Sequence, residues 1–454
     1  MEKRGKFTGS VGFVLAAAGS AVGLGNIWRF PYLAAKQGGG IFLLIYILLV
    51  VTFGYTIMVS EIALGRKTGQ SPIGAYQSLA KRYSFIGWIA VFVAFIILSY
   101  YGVIGGWVIK YFYEFVAGHS LALTDSGFFA AFTGETWQPL LWFFLFMLMT
   151  YLVVVNGVEK GIEKVSKVLM PVLVVLSVAI AAYSAFLPGA LEGIKYLFIP
   201  NFSQFTPMTL LAALGQMFYS MSLAMGIMIT YGSYLQKSND LSKCVKRIEF
   251  FDAGISILAA MMIIPAIFSF SAGDSATLSA NLNQGPSLMF VTLPKVFGSM
   301  PFGGVVGAAF FLLVFFAALT SSISLMECVV STLCDKWKLR RGPASAIVAG
   351  GAFLLGIPSS LGNGVWSSFT IFGKDFLSFF DFITNAVLMP VGALLTCLFI
   401  GYVVGVKTVS DEVKISSPFK REAMYNVMIK YIAPICIVAI LVTSVLEAFG
   451  ILTF

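Results

Sequence analysis

Apolar runs of about twenty residues recur along the whole chain, and they restrict its fold more than any other feature. A helix needs about 20 apolar residues to cross the hydrocarbon core of a bilayer. There, every backbone polar group must be satisfied within the chain, which favours helices. The chain is 59% hydrophobic and 11% charged, with a mean hydropathy of +0.92, and no polar stretch is long enough to bury a core of its own. We therefore predict an all-α polytopic membrane protein.

The runs predict eleven transmembrane helices. They cover about residues 10–35, 40–65, 85–117, 139–156, 165–187, 208–235, 242–270, 303–335, 343–358, 375–404 and 431–452. The N-terminal segment and every second loop together carry 23 of the 29 Lys and Arg residues. Positive loops stay on the cytoplasmic side. We therefore expect a cytoplasmic N-terminus and, because the number of spans is odd, a C-terminus outside the cell.

Composition also excludes several classes of function. The single histidine, His119, leaves little material for a metal site or a catalytic triad. The five cysteines are predicted to be free thiols, because they lie in helices or on the predicted inner face: Cys244, Cys328, Cys334, Cys397 and Cys436. Membrane topology explains the net charge of +9 better than a nucleic-acid partner does. We expect neither an enzyme nor a nucleic-acid-binding protein.

The first span contains several residues that disfavour a continuous membrane helix. In the stretch AAAGSAVGLGNIWRFPY, Ala16 to Tyr32, they are Gly19, Gly23, Gly25, Asn26 and Arg29. Each glycine costs about 1 kcal/mol in a helix. Close helix packing through small residues is the alternative explanation, but the asparagine and the arginine on the same segment weaken it. The pattern predicts a helix that is broken near its middle.

Span 6 shows a similar interruption about 200 residues later, in LGQMFYSMSLAMGIMITYGSYL. Paired interrupted helices are typical of transporters built from inverted repeats. We predict a core of residues 1–404, with repeats at about 8–190 (spans 1–5) and 205–404 (spans 6–10). Residues 405–454 would form a cytoplasmic linker and span 11. Because a break frees carbonyls for a cation and a helix N-terminus for a carboxylate, one break can hold a sodium-coupled amino acid.

The stretch AAAGSAVGLGNIWRFPYLAAKQGGGIF resembles the signature of the neurotransmitter:sodium symporters, which have the leucine-transporter fold. Other matching segments are EIALGR (61–66), YYGVIGGW (100–107), GQMFYSMSLAMG (215–226), FAALTSSIS (316–324) and FFDF (379–382). The resemblance covers about residues 4–404. Eleven spans are similar to many bacterial members, which implies the plasma (inner) membrane of a prokaryote.

The resemblance implies two sodium sites. The first would use Ala21, Asn26, Ser220, Asp252 and the substrate carboxylate. The second would use Gly19, Val22, Ala317, Thr320 and Ser321. Membrane Ser and Thr residues often bond only their own helix backbone, which is the alternative for the last two.

The resemblance also implies a substrate site. Its residues would be Ala21, Leu24, Gly25, Ile97, Tyr101, Tyr219, Ser222, Ala224, Met225, Ser321 and Leu325. None of them is charged, so a neutral, apolar amino acid is expected. Ala224 lies where many relatives have glycine, and its methyl group would narrow the pocket and favour a small or medium substrate.

Asp252 lies where animal members of the family usually have asparagine. In chloride-dependent members, chloride lies beside a cluster that corresponds to Tyr46, Gln216, Ser220, Asp252 and Ser256. An ionised Asp252 would itself supply that negative charge, so we expect transport without chloride and an aspartate able to exchange a proton. The alternative is a protonated, structural acid.

Two gates complete the implied site. The outer gate would comprise Arg29, Asp381, Tyr101 and Tyr219. The inner gate would comprise Arg4, Asp335, Tyr234 and Glu327. A static ion pair is the alternative for Arg29 and Asp381, and topology alone for Arg4 and Asp335. Glu61 is expected to accept hydrogen bonds from amides freed in spans 1 and 6.

Together these features predict a sodium-coupled symporter that imports a neutral amino acid by alternating access. Two sodium ions, the substrate and the lipid bilayer would be its partners, without an obligate protein partner. A transport-dead amino-acid sensor is the main alternative, although no cytosolic output domain is visible. An ion channel would need a continuous polar pore instead of an occludable site.

Overall fold

The computed structural model describes residues 5–271 and 287–448, which form helices, connecting loops and two isolated β-bridges. The first half of the chain contains α1 (Ser10–Ala21), α2 (Gly25–Lys36), α3 (Gly40–Thr68), α4 (Pro72–Leu79), α5 (Lys81–Val116), α6 (Phe128–Gly134), α7 (Trp137–Val154), α8 (Val158–Ala185) and α9 (Ala190–Phe198). The second half contains α10 (Pro207–Ser220), α11 (Ile227–Gly232), α12 (Leu241–Ser271), α13 (Leu288–Gly298), α14 (Gly303–Trp337), α15 (Arg341–Leu361), α16 (Phe376–Val403), α17 (Lys407–Lys414) and α18 (Glu422–Leu446).

Nine single helices among the described residues are long and apolar enough to cross a membrane: α3, α5, α7, α8, α12, α14, α15, α16 and α18. The pair α1 and α2, bent by 55° at its break, makes a tenth. The helices α10 and α11 occupy the predicted sixth span. The total of eleven spans and the division into repeats stay predictions. The last span begins at Glu422, well before the predicted residue 431, because the helix continues through Lys430.

The backbone leaves the helical conformation at two places, after α1 and after α10. After α1, the backbone of Val22 is extended (φ −76°, ψ 95°). After α10, Ser222 (φ 53°), Ala224 (φ 60°) and Gly226 (φ 72°) lie in the left-handed region. Such conformations cost an L-residue about 1–2 kcal/mol each, so a regular helix cannot pass through these segments.

The interrupted helices lie at the centre of the molecule. Nine of the twelve residues of α1 and all six residues of α11 are buried. The peripheral helices α8 and α18 have buried shares of only 33% and 22% in their most apolar windows. Apolar side chains such as Val168 and Val175 are exposed there, as expected for a surface in contact with lipid. The two breaks are therefore enclosed by the other helices.

Candidate substrate and sodium site

A cavity lies between the two helix breaks. It is lined by Ser20, Ala21, Gly23, Leu24, Gly25, Asn26, Ile97, Tyr101, Tyr219, Ser220, Ser222, Met225, Ile227, Ser321 and Leu325. Ten of the eleven predicted substrate residues are in this set, and no charged side chain of the described chain lines it. The lining therefore offers backbone groups, hydroxyls and an apolar wall.

Ala224 is the predicted substrate residue that does not line the cavity. Its left-handed backbone turns the methyl group toward α16, where a Cβ built on Gly392 would lie 4.0 Å from the Ala224 Cβ. Its amide nitrogen instead donates to Glu61 Oε1 at 2.8 Å. The expectation that the methyl group of Ala224 narrows the pocket is therefore wrong. Glu61 accepts one of the hydrogen bonds from freed amides that we expect for it.

The break after α1 presents backbone amides to the cavity. The amide of Leu24 donates to the hydroxyl of Tyr101 at 3.1 Å, and the amide of Gly23 donates to Asn26 Oδ1 at 3.0 Å. A Cβ on Gly25 would lie 2.4 Å from the Tyr219 ring, so only glycine lets the ring lie against the backbone here. Amides and a hydroxyl at the start of a helix suit a carboxylate ligand.

Two predicted ligands of the first sodium site, Ser220 and Asp252, meet the side chain of a third, Asn26, together with Ser256. The Asn26 Nδ2 donates to Ser220 Oγ at 2.9 Å, to Asp252 Oδ1 at 2.7 Å and to Ser256 Oγ at 2.9 Å. All four side chains are buried, each with 2% exposure or less. Oxygen-rich clusters of this kind suit hard cations. For a sodium ion to use the amide oxygen, the Asn26 amide would present Oδ1 to this cluster.

The residues that correspond to the chloride site surround the same carboxylate. Tyr46 donates to Asp252 Oδ2 at 2.8 Å and lies 3.1 Å from Ser220 Oγ, while Ser220 donates to Asp252 Oδ1 at 2.5 Å. Gln216, one turn before Ser220 on α10, instead donates to the carbonyl of Gly25 at 2.9 Å. The aspartate thus occupies the centre of the cluster.

The predicted second sodium site joins α1 to α14. The hydroxyl of Ser321 lies 3.3 Å from the carbonyl oxygen of Gly19 and 3.4 Å from that of Val22. Thr320 Oγ1 bonds its own helix at Phe316 and Ala317, 3.0 and 3.1 Å away. All five predicted ligands are therefore close together, and only the serine hydroxyl faces the freed carbonyls.

The two charged members of the outer gate do not pair. No ion pair joins Arg29 to Asp381 in the described structure. The Arg29 guanidinium lies 5.2 Å from the centre of the Tyr219 ring, and Asp381 accepts hydrogen bonds from Tyr100 at 3.2 Å and from Asn385 at 2.6 Å. Arg29 and Asp381 both line a second cavity of about 570 Å³, which we call the vestibule.

Comparisons with known proteins agree with this architecture. The family described as "Sodium:neurotransmitter symporter family" matches residues 4–129 and 132–450. The chain belongs to this family. An uncharacterized sodium-dependent transporter of Bacillus subtilis, YhdH, is 38% identical over 100% of this chain and 99% of its own length. An uncharacterized sodium-dependent transporter of Haemophilus influenzae is 32% identical, over 98% of each chain.

A solved structure shows the same fold. The crystal structure of MhsT in complex with L-phenylalanine superimposes with a TM-score of 0.87 at 38% identity, covering 97% of this chain and 100% of that one. As a sodium:neurotransmitter symporter, the chain is a multi-pass, sodium-dependent transporter with the leucine-transporter fold, and it is not an enzyme.

On the face of this symporter opposite the vestibule, a partly buried network joins α14 and α15 to the turn after α11. Tyr234 donates to Glu327 Oε1 at 2.6 Å, and Arg341 forms an ion pair with Glu327 Oε2. Of the predicted inner-gate pair Arg4 and Asp335, only Asp335 can be placed, because Arg4 lies outside the described residues. Asp335 Oδ2 accepts from the amide of Ser71 at 2.8 Å.

Sequence reasoning missed three residues of this symporter's site and gate. Ser20 and Ile227 line the cavity, and Arg341 neutralises Glu327. The serine lies inside the family signature, between two predicted ligands. This position could have indicated that it belongs to the site. The arginine is one of several basic residues before span 9, and nothing in the sequence separates it from those that only set topology.

Proposed function

We propose that this protein imports a neutral, apolar amino acid of small to medium size, driven by sodium and independent of chloride. The main support for the proposal is the cavity between the breaks that follow α1 and α10. It combines amides for a carboxylate with a wall free of charged side chains among the described residues. The MhsT structure holds L-phenylalanine, an amino acid with an uncharged, apolar side chain.

The amino-acid backbone would bind at the broken ends of the helices. Its carboxylate would lie near the amides of Leu24 and Gly25, within reach of the Tyr101 hydroxyl. Its ammonium group would meet the carbonyls of Ala21, Tyr219 and Ser222. These groups recognise any α-amino acid, so selectivity falls to the rest of the cavity.

The substrate side chain would lie against Ile97, Met225 and Leu325, with Tyr101 and Tyr219 completing the wall. Burying apolar surface stabilises binding by about 25 cal/mol per Å². A charged side chain would lose its hydration without gaining a partner. The long side chains of this wall favour a small or medium substrate, whereas Ala224 gives no support to that limit.

Two sodium ions would bind beside the substrate. At the first site, the oxygens of Ala21, Asn26, Ser220 and Asp252 would be completed by the substrate carboxylate. This shared ligand makes the binding of ion and substrate mutually dependent, and such coupling is reciprocal. At the second site, Ser321 would link the carbonyls of α1 to α14.

Chloride independence follows from the buried carboxylate of Asp252. In the family's chloride-dependent members, a bound anion offsets the charge of the sodium ions. Here an ionised aspartate at the centre of the Tyr46–Ser220–Ser256 cluster would do so. An ionisable residue inside a membrane protein is costly, which makes a functional role the first hypothesis.

Transport would proceed by alternating access. In this mechanism, the vestibule would be the open outer side and the Tyr234–Glu327–Arg341 network would close the opposite side. Closing the outer gate would bring Arg29 to Asp381 and cover the substrate. Opening the inner network would then release sodium and substrate into the cell.

Uptake by purified protein in proteoliposomes tests this function. An inward sodium gradient should drive accumulation of labelled alanine, valine or leucine, whether the external anion is chloride or gluconate. Lysine and glutamate should not accumulate. Uptake without a sodium gradient, or uptake that requires chloride, would refute the corresponding part of the proposal. Tryptophan bound more tightly than alanine, valine and leucine would refute the size limit.

A thermal-shift screen of the twenty amino acids, with and without sodium, followed by uptake of each stabilising amino acid, would distinguish a transporter from a transport-dead sensor. A transporter and a sensor would both be stabilised by a ligand in the presence of sodium. Only the transporter would also show gradient-driven uptake of that amino acid.

A further inference from the structure

The connection between α8 and α10, residues 186–206, has an exposed apolar surface that the transport mechanism does not use. We call its six large exposed side chains the apolar edge: Phe186 (89% exposed), Leu191 (60%), Phe198 (46%), Ile199 (61%), Phe202 (70%) and Phe205 (49%). The only charged residues of this segment are Glu192 and Lys195, which pair with each other at 2.7 Å. Exposed apolar patches of this kind mark a protein contact or a membrane contact.

The apolar edge continues the lipid-facing surface of a spanning helix. Along α8, four valines are exposed at spacings of three or four residues: Val168, Val172, Val175 and Val178. This spacing places them on one face of the helix. Phe186 follows directly after the end of α8, and the exposed Leu210 continues the surface on α10. Both ends of the edge therefore join surfaces of predicted membrane spans.

The helix α9 has two different faces. Ala190, Gly193 and Leu197 are buried, and a Cβ on Gly193 would lie 2.9 Å from the Cα of Pro265. Leu191 and Phe198, seven residues apart, are exposed. A short helix with one face on the protein and one exposed apolar face has the pattern of an interfacial helix.

We infer that the apolar edge binds the phospholipid leaflet on the vestibule side, with its phenylalanines at the boundary between headgroups and acyl chains. Lipid fits better than a protein partner because the edge is continuous with the surface of α8. Its one cation, Lys195, can reach the headgroup phosphates while its carbon chain remains in the apolar zone.

The same segment is fastened to the end of α2 and the start of α3, and it leads directly into α10. Gly39 forms an antiparallel bridge with Pro200, and the Tyr196 hydroxyl donates to the carbonyl of Ala35 at 2.6 Å. A Cβ on Gly40 would lie 2.6 Å from the backbone of Ile199, so this turn packs directly against the segment. Binding to the leaflet would therefore hold α2 and α10 at the membrane surface while the outer gate opens and closes.

Spin-label accessibility in the full chain tests this inference. Single cysteines replace Phe198 and Phe202 in a variant whose five native cysteines are alanine. Each labelled protein is reconstituted into phosphatidylcholine–phosphatidylglycerol vesicles. Collisions of the nitroxide with oxygen, which concentrates in the bilayer, are compared with those of a water-soluble nickel chelate. Labels at Val175 and Asp125 provide the lipid and water references.

We expect oxygen collisions to dominate at both positions, as at Val175. Dominance of the nickel chelate, as at Asp125, would overturn the inference because the edge would then lie in water. Protection from both reagents would also overturn it, in favour of a protein contact such as a second copy of the chain. If the Phe198 variant does not fold, Leu191 replaces it, and Phe202 in the following turn gives an independent result.

Discussion

Tyr46 on α3 donates its hydroxyl hydrogen to Asp252 Oδ2 on α12 across 2.8 Å, and both side chains are fully buried. The same carboxylate accepts from Asn26 and Ser220 through Oδ1. The aspartate therefore joins three parts of the chain that are far apart in sequence. If this carboxylate is ionised, as the proposed function requires, it would supply one negative charge in place of chloride.

The variant Asp252→Asn tests that role. Without the carboxylate, the hydroxyls of Tyr46, Ser220 and Ser256 become free to donate to an anion. Uptake in gluconate should fall at least about ten-fold, the equivalent of about 1.4 kcal/mol, and chloride should restore part of it. Initial uptake rates in both anions, for wild type and variant, are the measurement. Equal chloride dependence of the two proteins would contradict the prediction.

Charge reversal tests the outer gate. Arg29 and Asp381 do not pair in the described structure, so in the proposed mechanism their pairing would form only on closure. Arg29→Asp and Asp381→Arg should each abolish uptake, because each leaves two like charges to meet in a site of low dielectric constant. The double variant should recover a measurable fraction of the sodium-dependent rate.

Asn385→Ala is the control for that experiment. It removes a hydrogen bond to Asp381 without changing any charge, so it should not restore uptake when it is combined with Arg29→Asp. Absence of recovery in a well-folded double variant would argue against direct pairing.

Neutralising Arg341 should open the side of the molecule opposite the vestibule. In Arg341→Gln the buried carboxylate of Glu327 loses its ion pair, a change that costs about 3–5 kcal/mol for buried pairs. A cysteine replacing the buried Ser324, one turn nearer the cavity, should then react faster with a hydrophilic thiol reagent from that side. Lys336→Gln is the matched control, because Lys336 is exposed and bonds Gln77 rather than Glu327. Equal reactivity in the two variants would contradict the prediction.

Long apolar runs and a few interrupting residues are enough to predict most of the fold. The runs predict the spanning helices because their length is fixed by the bilayer. Gly23 and Gly25, beside Asn26 and Arg29, predict the first break, and the family resemblance brings in the ligands on α10, α12 and α14. Only hydrogen-bond geometry in three dimensions shows that Ser220 and Asp252 meet at Asn26, whereas Ser321 lies against the carbonyls of α1.

Other features depend on information that the sequence does not carry locally. The left-handed φ of Ala224 turns its methyl group away from the cavity, although alanine itself gives no sign of such a backbone. Arg341 resembles the residues that set topology until its contact with Glu327 is seen. The separation of Arg29 from Asp381 likewise has no local signal in the sequence.

Replacing Ser321 should weaken sodium binding at the second site. Its hydroxyl is the α14 group that faces the freed carbonyls of α1, including that of Ser20 at 3.1 Å. Ser321→Ala should raise the sodium concentration for half-maximal uptake about ten-fold, which corresponds to about 1.4 kcal/mol. The neighbouring Ser322→Ala is the control, because the buried Ser322 hydroxyl has no hydrogen-bond partner among the described residues. Similar sodium dependence in both variants would exclude Ser321 as a ligand.

Ala224→Gly tests whether the methyl group of Ala224 limits the size of the cavity. If the methyl group narrowed the pocket, its removal would shift preference toward larger amino acids. Because it faces α16, we expect the ratio of leucine to tryptophan affinity to stay unchanged. Glycine should instead relieve the left-handed conformation at φ 60° and stabilise the protein by about 1 kcal/mol, seen as a higher melting temperature in detergent. A gain in tryptophan affinity over leucine would contradict the observed orientation of the methyl group. The control is Ala213→Gly, at a buried alanine within α10. This substitution should lower the melting temperature, because glycine destabilises a regular helix.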